Sequence, residues 1–111
     1  MNKIKLWDKY ETALLIETFW KINEGISPRE QCLKELSNLL RQRAKNLGLE
    51  FDDKFRNYNG MSLQLAAIES LLISDRAERH CSKMFSYMTD LYKNDRKQFD
   101  CILVEAHEQA D

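Results

Sequence analysis

The chain of 111 residues is long enough for one domain that buries about two-thirds of the surface its unfolded form exposes. Apolar residues make up 43% and charged residues 32%, a globular balance that excludes a disordered chain. Three glycines and one proline are too few for the tight turns of a β-rich fold, and a net charge of −1 excludes a globally basic protein, so any nucleic-acid footprint must be a local patch.

In chain order the pattern predicts an all-α fold, a compact bundle of about five helices in a single domain over residues 1–111. Asp8 is an N-cap for a first helix reaching about Ile22, with Glu11 at the third position completing a D-x-x-E cap. Tyr10, Ala13, Leu14, Leu15, Ile16, Phe19, Trp20 and Ile22 wrap more than one face, which predicts a central helix contacted from two sides. Trp7, just before the cap, is expected to fold back onto the core. After the turn Asn23-Glu24-Gly25-Ile26, Ser27-Pro28-Arg29-Glu30 signals a second helix with a serine N-cap. Cys32, Leu33, Leu36, Leu39, Leu40, Ala44 and Leu47 follow at spacings of three and four until Gly48 stops it.

Residues 49–58 read as a loop, with one short turn near Asp52. A third helix begins around Asn59 or Gly60, with Met61, Leu65, Ile68 and Leu72 on one stripe and Leu63, Ala66 and Ala67 beside it. Ser74-Asp75 caps a long fourth helix carrying Ala77, Cys81, Met84, Phe85, Met88, Leu91 and Tyr92. Asn94-Asp95 breaks it, and a fifth helix turns Phe99, Ile102, Leu103 and Ala106 inward. The motif-bearing helices thus span 7–72 and a C-terminal helical pair spans 75–110.

The cysteines Cys32, Cys81 and Cys101 form no CxxC pair and fall within apolar stripes, which predicts buried, reduced thiols. The N-terminal residues lack the apolar run of a signal peptide, and no apolar run approaches the ~20 residues of a membrane span, so the expected setting is cytoplasmic. No zinc-ligand spacing and no GxGxxG, P-loop, GxSxG or HExxH pattern occurs. His80 and Cys81 diverge by about a hundred degrees on one helix. The expectation is a non-enzyme without metal or cofactor.

Charge is unevenly spread. Residues 28–48 and 76–97 each carry a cationic surplus of three, while residues 98–111 hold four acids and no lysine or arginine. Arg41, Arg43, Lys45, Lys54 and Arg56 therefore stand near Phe55-Arg56-Asn57-Tyr58-Asn59-Gly60, which runs into the third helix. Each residue there has a structural use: aromatics for the core, amides for caps, and Arg56 to pair with Glu69 or an acid of the first helix. The sharper reading makes it a phosphate- and base-contacting tip. Helix N-termini attract phosphate, arginine reads guanine, and Asn and Gln pair with adenine edges. On that reading Arg56, Asn57, Asn59, Ser62 and Gln64 are exposed at the leading end of the helix, whereas the structural use of Gly60 is to supply a positive φ or to let two backbones approach. Asp52 and Asp53 oppose it unless they pair with Lys54 or Arg56.

Trp7, Glu11, Leu14-Leu15 and Phe19 or Trp20 resemble the opening of a Myb/SANT-type, helix-turn-helix-like three-helix unit. LSNLLRQRA (Leu36 to Ala44) followed by FRNYNGMSLQLAAI (Phe55 to Ile68) is similar to a bacterial domain at the N-terminus of large multidomain proteins. Its relatives include the DNA-binding N-terminal domains of modified-cytosine-dependent HNH restriction endonucleases. The resemblance covers roughly residues 7–72 and carries over Arg41, Arg56, Asn57, Asn59 and Gly60 as motif positions. It implies a non-catalytic targeting module that binds double-stranded DNA, modified or plain, alongside other domains of a parent protein. The alternative is a protein-interaction or assembly domain, with Met61, Met84, Met88, Phe85 and Tyr87 partly facing a partner helix.

Overall fold

The computed structural model describes residues 7–73 and 83–111. Among them are five α-helices: α1 (Lys9–Asn23), α2 (Arg29–Asn46), α3 (Tyr58–Ile73), α4 (Lys83–Asn94) and α5 (Arg96–Ala110). The fold is the expected small all-α bundle. None of these helices is long and apolar enough to cross a membrane.

The start of α1 is fixed as the sequence implies. Asp8 Oδ1 accepts from the Glu11 N–H at 2.8 Å, and Glu11 Oε1 accepts from the Asp8 N–H at 3.2 Å, a reciprocal capping box. Both α1 and α2 end in a 6→1 and 5→2 hydrogen-bond pair that needs a left-handed residue just past the helix. Gly25 at φ 73° and Gly48 at φ 75° supply it. The start of α2 differs from expectation by one residue. Pro28, with φ −59° and ψ 148°, takes the cap position, so Ser27 does not cap the helix, and no side chain bonds to its first N–H groups.

Six consecutive residues of α1, Glu11 to Ile16, are buried, which no amphipathic helix on a surface would allow. The cause is position: α1 touches α2, α3, α4 and α5. Leu14, Leu15, Ile16 and Phe19 meet Leu33, Leu36 and Leu40 of α2, Met61, Leu65 and Ile68 of α3, Phe85 and Met88 of α4, and Phe99, Ile102 and Ala106 of α5 in one core. Trp7 folds back as expected, its ring edge-on to Phe85 with centroids 5.7 Å apart.

Two expectations about particular side chains are corrected. Cys32 is buried, but Cys101 is exposed, because it lies about 200° around α5 from the buried Phe99. Met61, Phe85 and Met88 are core residues and Met84 packs partly buried against them, so of the proposed partner surface only Tyr87 is exposed. The Ser74-Asp75 cap, Ala77, His80 and Cys81 lie outside the described residues.

Candidate interaction site around alpha3

The loop entering α3 is built by short-range hydrogen bonds. Asp52 Oδ1 accepts from the Lys54 N–H at 2.9 Å, the Asp52 carbonyl accepts from the Phe55 N–H at 3.2 Å, and the Lys54 carbonyl accepts from the Asn57 N–H at 3.3 Å. These bonds bring Arg56 to φ 48°, the one non-glycine residue with positive φ among those described. A left-handed arginine costs on the order of 1 kcal/mol or more and persists only where its surroundings hold it.

They hold it from three sides. The Ser37 hydroxyl of α2 donates to the Arg56 carbonyl at 2.6 Å. The guanidinium grips Glu11 of α1 in a bidentate pair, Nε to Oε2 at 2.8 Å and Nη2 to Oε1 at 3.0 Å. Its faces lie against Trp7 and Phe55, with ring centroids 4.6 and 4.7 Å away. The paired side chains are 9% and 2% exposed. The expected outward orientation of Arg56 is therefore overturned: an acid of the first helix takes the cation before any phosphate could.

Other members of the expected tip are also used internally. Asn57 is half-buried, and its Oδ1 accepts from the Gly60 N–H at 2.9 Å, capping α3. Gly60 sits within the helix rather than at positive φ, and a Cβ there would meet Asn57 Oδ1 at 3.2 Å. Ser62 is half-buried and accepts from Arg29 Nη2 at 3.0 Å. Gln64 is half-buried, whereas Asn59 is exposed as expected.

The flanking cations divide the same way. Arg43 is buried beneath Tyr10, with Nη2 2.9 Å from Asp8 Oδ2 and Nε donating to Gln109 Oε1 at 2.7 Å. Arg41 lies over Phe51 and donates to the carbonyls of Asp52 and Asp53 at 3.3 to 3.4 Å. Lys45 and Lys54 remain exposed, but Glu50, Asp52 and Asp53 are exposed in the same loop region. No net cationic patch results.

What α3 turns outward instead is nearly uncharged. Glu69 is the one charged residue in its sixteen. Asn59, Leu63, Ala66, Ser70 and Ile73 recur at spacings of four and three along one face, opposite the buried Met61, Leu65 and Ile68. Leu63 is 72% and Ile73 61% exposed. This face escaped the sequence reading, although a helix with a single charged residue cannot cover its solvent side with charge. The chain matches no family model, and no characterised protein or solved structure is significantly similar to it.

Proposed function

We propose that this chain is a non-catalytic protein-interaction module that docks partners through the outer face of α3. The observation that carries the reading is the exposure of Leu63 and Ile73 on a helix face with no compensating charge. Scattered exposed apolar residues are ordinary, whereas Leu63, Ala66 and Ile73 in register along about three turns make a stripe of the kind that marks a contact surface. The Arg56–Glu11 pair and the Asn57 cap then serve that surface by fixing the start and direction of α3.

A photo-cross-linking residue placed at Ala66, in the cells that express the protein, tests this. Protein adducts are expected at position 66 and not at Lys97, which is exposed on α5. No adduct at 66, or equal yields at both positions, would sink the reading.

A second reading, the DNA-targeting module implied by the resemblance, is supported by the exposure of Lys45, Lys54 and Asn59. It predicts affinity for plain or cytosine-modified duplexes that falls steeply with salt and weakens in Lys54→Ala. Fluorescence anisotropy at two salt concentrations decides it. Absence of binding even at low salt rules it out.

A further inference from the structure

We infer that Asn59 is a site of spontaneous deamidation, held closed by the Asn57 cap and opened when the first turn of α3 frays. The chemistry is independent of whether the α3 face docks a partner. Of the seven asparagines in the chain, Asn59 alone is followed by glycine. That decides the site, because the reaction runs through the backbone nitrogen of the next residue, and glycine has no Cβ to obstruct the approach. Asn59 is exposed, so water reaches it.

Water is the one co-reactant. Once base takes its proton, the Gly60 nitrogen attacks Asn59 Cγ. The new N–Cγ bond closes a cyclic imide, the Cγ–Nδ2 bond breaks, and ammonia leaves with a proton returned to it. Water then opens the imide at either carbonyl. Opening at Cγ gives aspartate and restores the main chain; opening at the main-chain carbonyl gives isoaspartate, whose backbone runs through the side chain. Either product puts a carboxylate in a first turn that holds no acid. Aspartate there meets the positive end of the helix dipole, whereas isoaspartate adds a backbone atom and spoils the turn.

The native geometry blocks the first step twice. The Gly60 N–H donates to Asn57 Oδ1 at 2.9 Å, and that oxygen stands so close over Gly60 that a Cβ there would lie 3.2 Å from it. Asn59 is also helical, which turns the Gly60 nitrogen along the helix axis and away from Cγ. Yet this lock sits at a helix end. The first turn is tied to its cap by that bond and by the Met61 N–H donating to the Asn57 carbonyl at 2.9 Å. Terminal turns open far more readily than the core unfolds.

The test incubates the full chain in mildly alkaline buffer, folded and in guanidinium chloride. Peptide mapping reads the amide-to-acid mass gain and the isoaspartate content at each asparagine. In denaturant position 59 should convert faster than the other asparagines, and in the folded chain far more slowly. Asn57→Ala should speed the folded reaction about fivefold, the roughly 1 kcal/mol of an N-cap bond taken at tenfold per 1.4 kcal/mol. Asn57→Asp, which keeps an oxygen at the cap, should leave it slow. Ile102→Val weakens the buried core by a comparable amount and should leave the rate at 59 unchanged, because the opening is local. Hydrogen exchange reads the same opening in the unmutated chain: the Gly60 amide should exchange well before that of the buried Ile68. Equal rates in the folded and denatured chain would overturn the inference. So would an Asn57→Ala chain no faster than the parent, an Ile102→Val chain as fast as Asn57→Ala, or a Gly60 amide that exchanges only together with the core.

Discussion

Arg56 carries two costs, a left-handed backbone and a desolvated charge, and each is offset by a different neighbour. The Ser37 hydroxyl holds the backbone through the carbonyl, and Glu11 neutralises the guanidinium through two parallel hydrogen bonds. Removing one partner from such a pair strands the other, at about 3–5 kcal/mol. Arg56→Ala should therefore lower unfolding stability by roughly that much, measured by urea denaturation. Arg56→Gly should be milder than Arg56→Ala by about 1 kcal/mol, because glycine accepts φ 48° without strain. Arg56→Lys should recover only part of the loss, since an ammonium cannot form the bidentate grip. If Arg56→Ala were neutral, the pair would be incidental and the cation would again be available to an external anion.

At the scale of the element, α3 owes its start to Asn57 and its exposed face to composition. Asn57→Ala should cost about 1 kcal/mol, as loss of an N-cap bond usually does. Gly60→Ala sets helix propensity, a gain of about 1 kcal/mol, against a Cβ 3.2 Å from Asn57 Oδ1. In the Asn57→Ala background that contact is gone, so Gly60→Ala should turn clearly stabilising, and a double-mutant cycle in urea reads the coupling. The ends of α1 and α2 were legible because their signals are local: Asp8 with Glu11 three residues on, and Gly25 and Gly48 past the last apolar positions. The direction of Arg56 was not legible, because its acceptor lies 45 residues away and arginine beside asparagine suits a cap as well as a groove. Cys101 is a different kind of miss. Its angle from Phe99 was available from periodicity and pointed outward.

For the whole molecule, α1 decides whether residues 7–72 make a unit by themselves. The resemblance treats those helices as the motif-bearing part, but α1 also packs against α4 and α5, where Phe99, Ile102 and Ala106 share its core. Ties at the far end reinforce this. Arg43 of α2 holds Gln109, and Asn46 donates to the carbonyls of Gln109 and Asp111 at 2.9 and 3.2 Å. Ending the chain at Asn94 would expose the α1 face that α5 covers, lose the burial of Phe99 and Ile102, and leave Arg43 without one of its two acceptors. Each large apolar side chain so lost is worth about 1.5–3 kcal/mol, against a total stability of about 5–15 kcal/mol for a domain. The truncated chain should therefore keep helical far-UV signal but lose its near-UV signal and the sharpness of its urea transition. A truncation that unfolded as cooperatively as the full chain would mean that α1 to α3 stand alone and that α5 is an addition to a finished core.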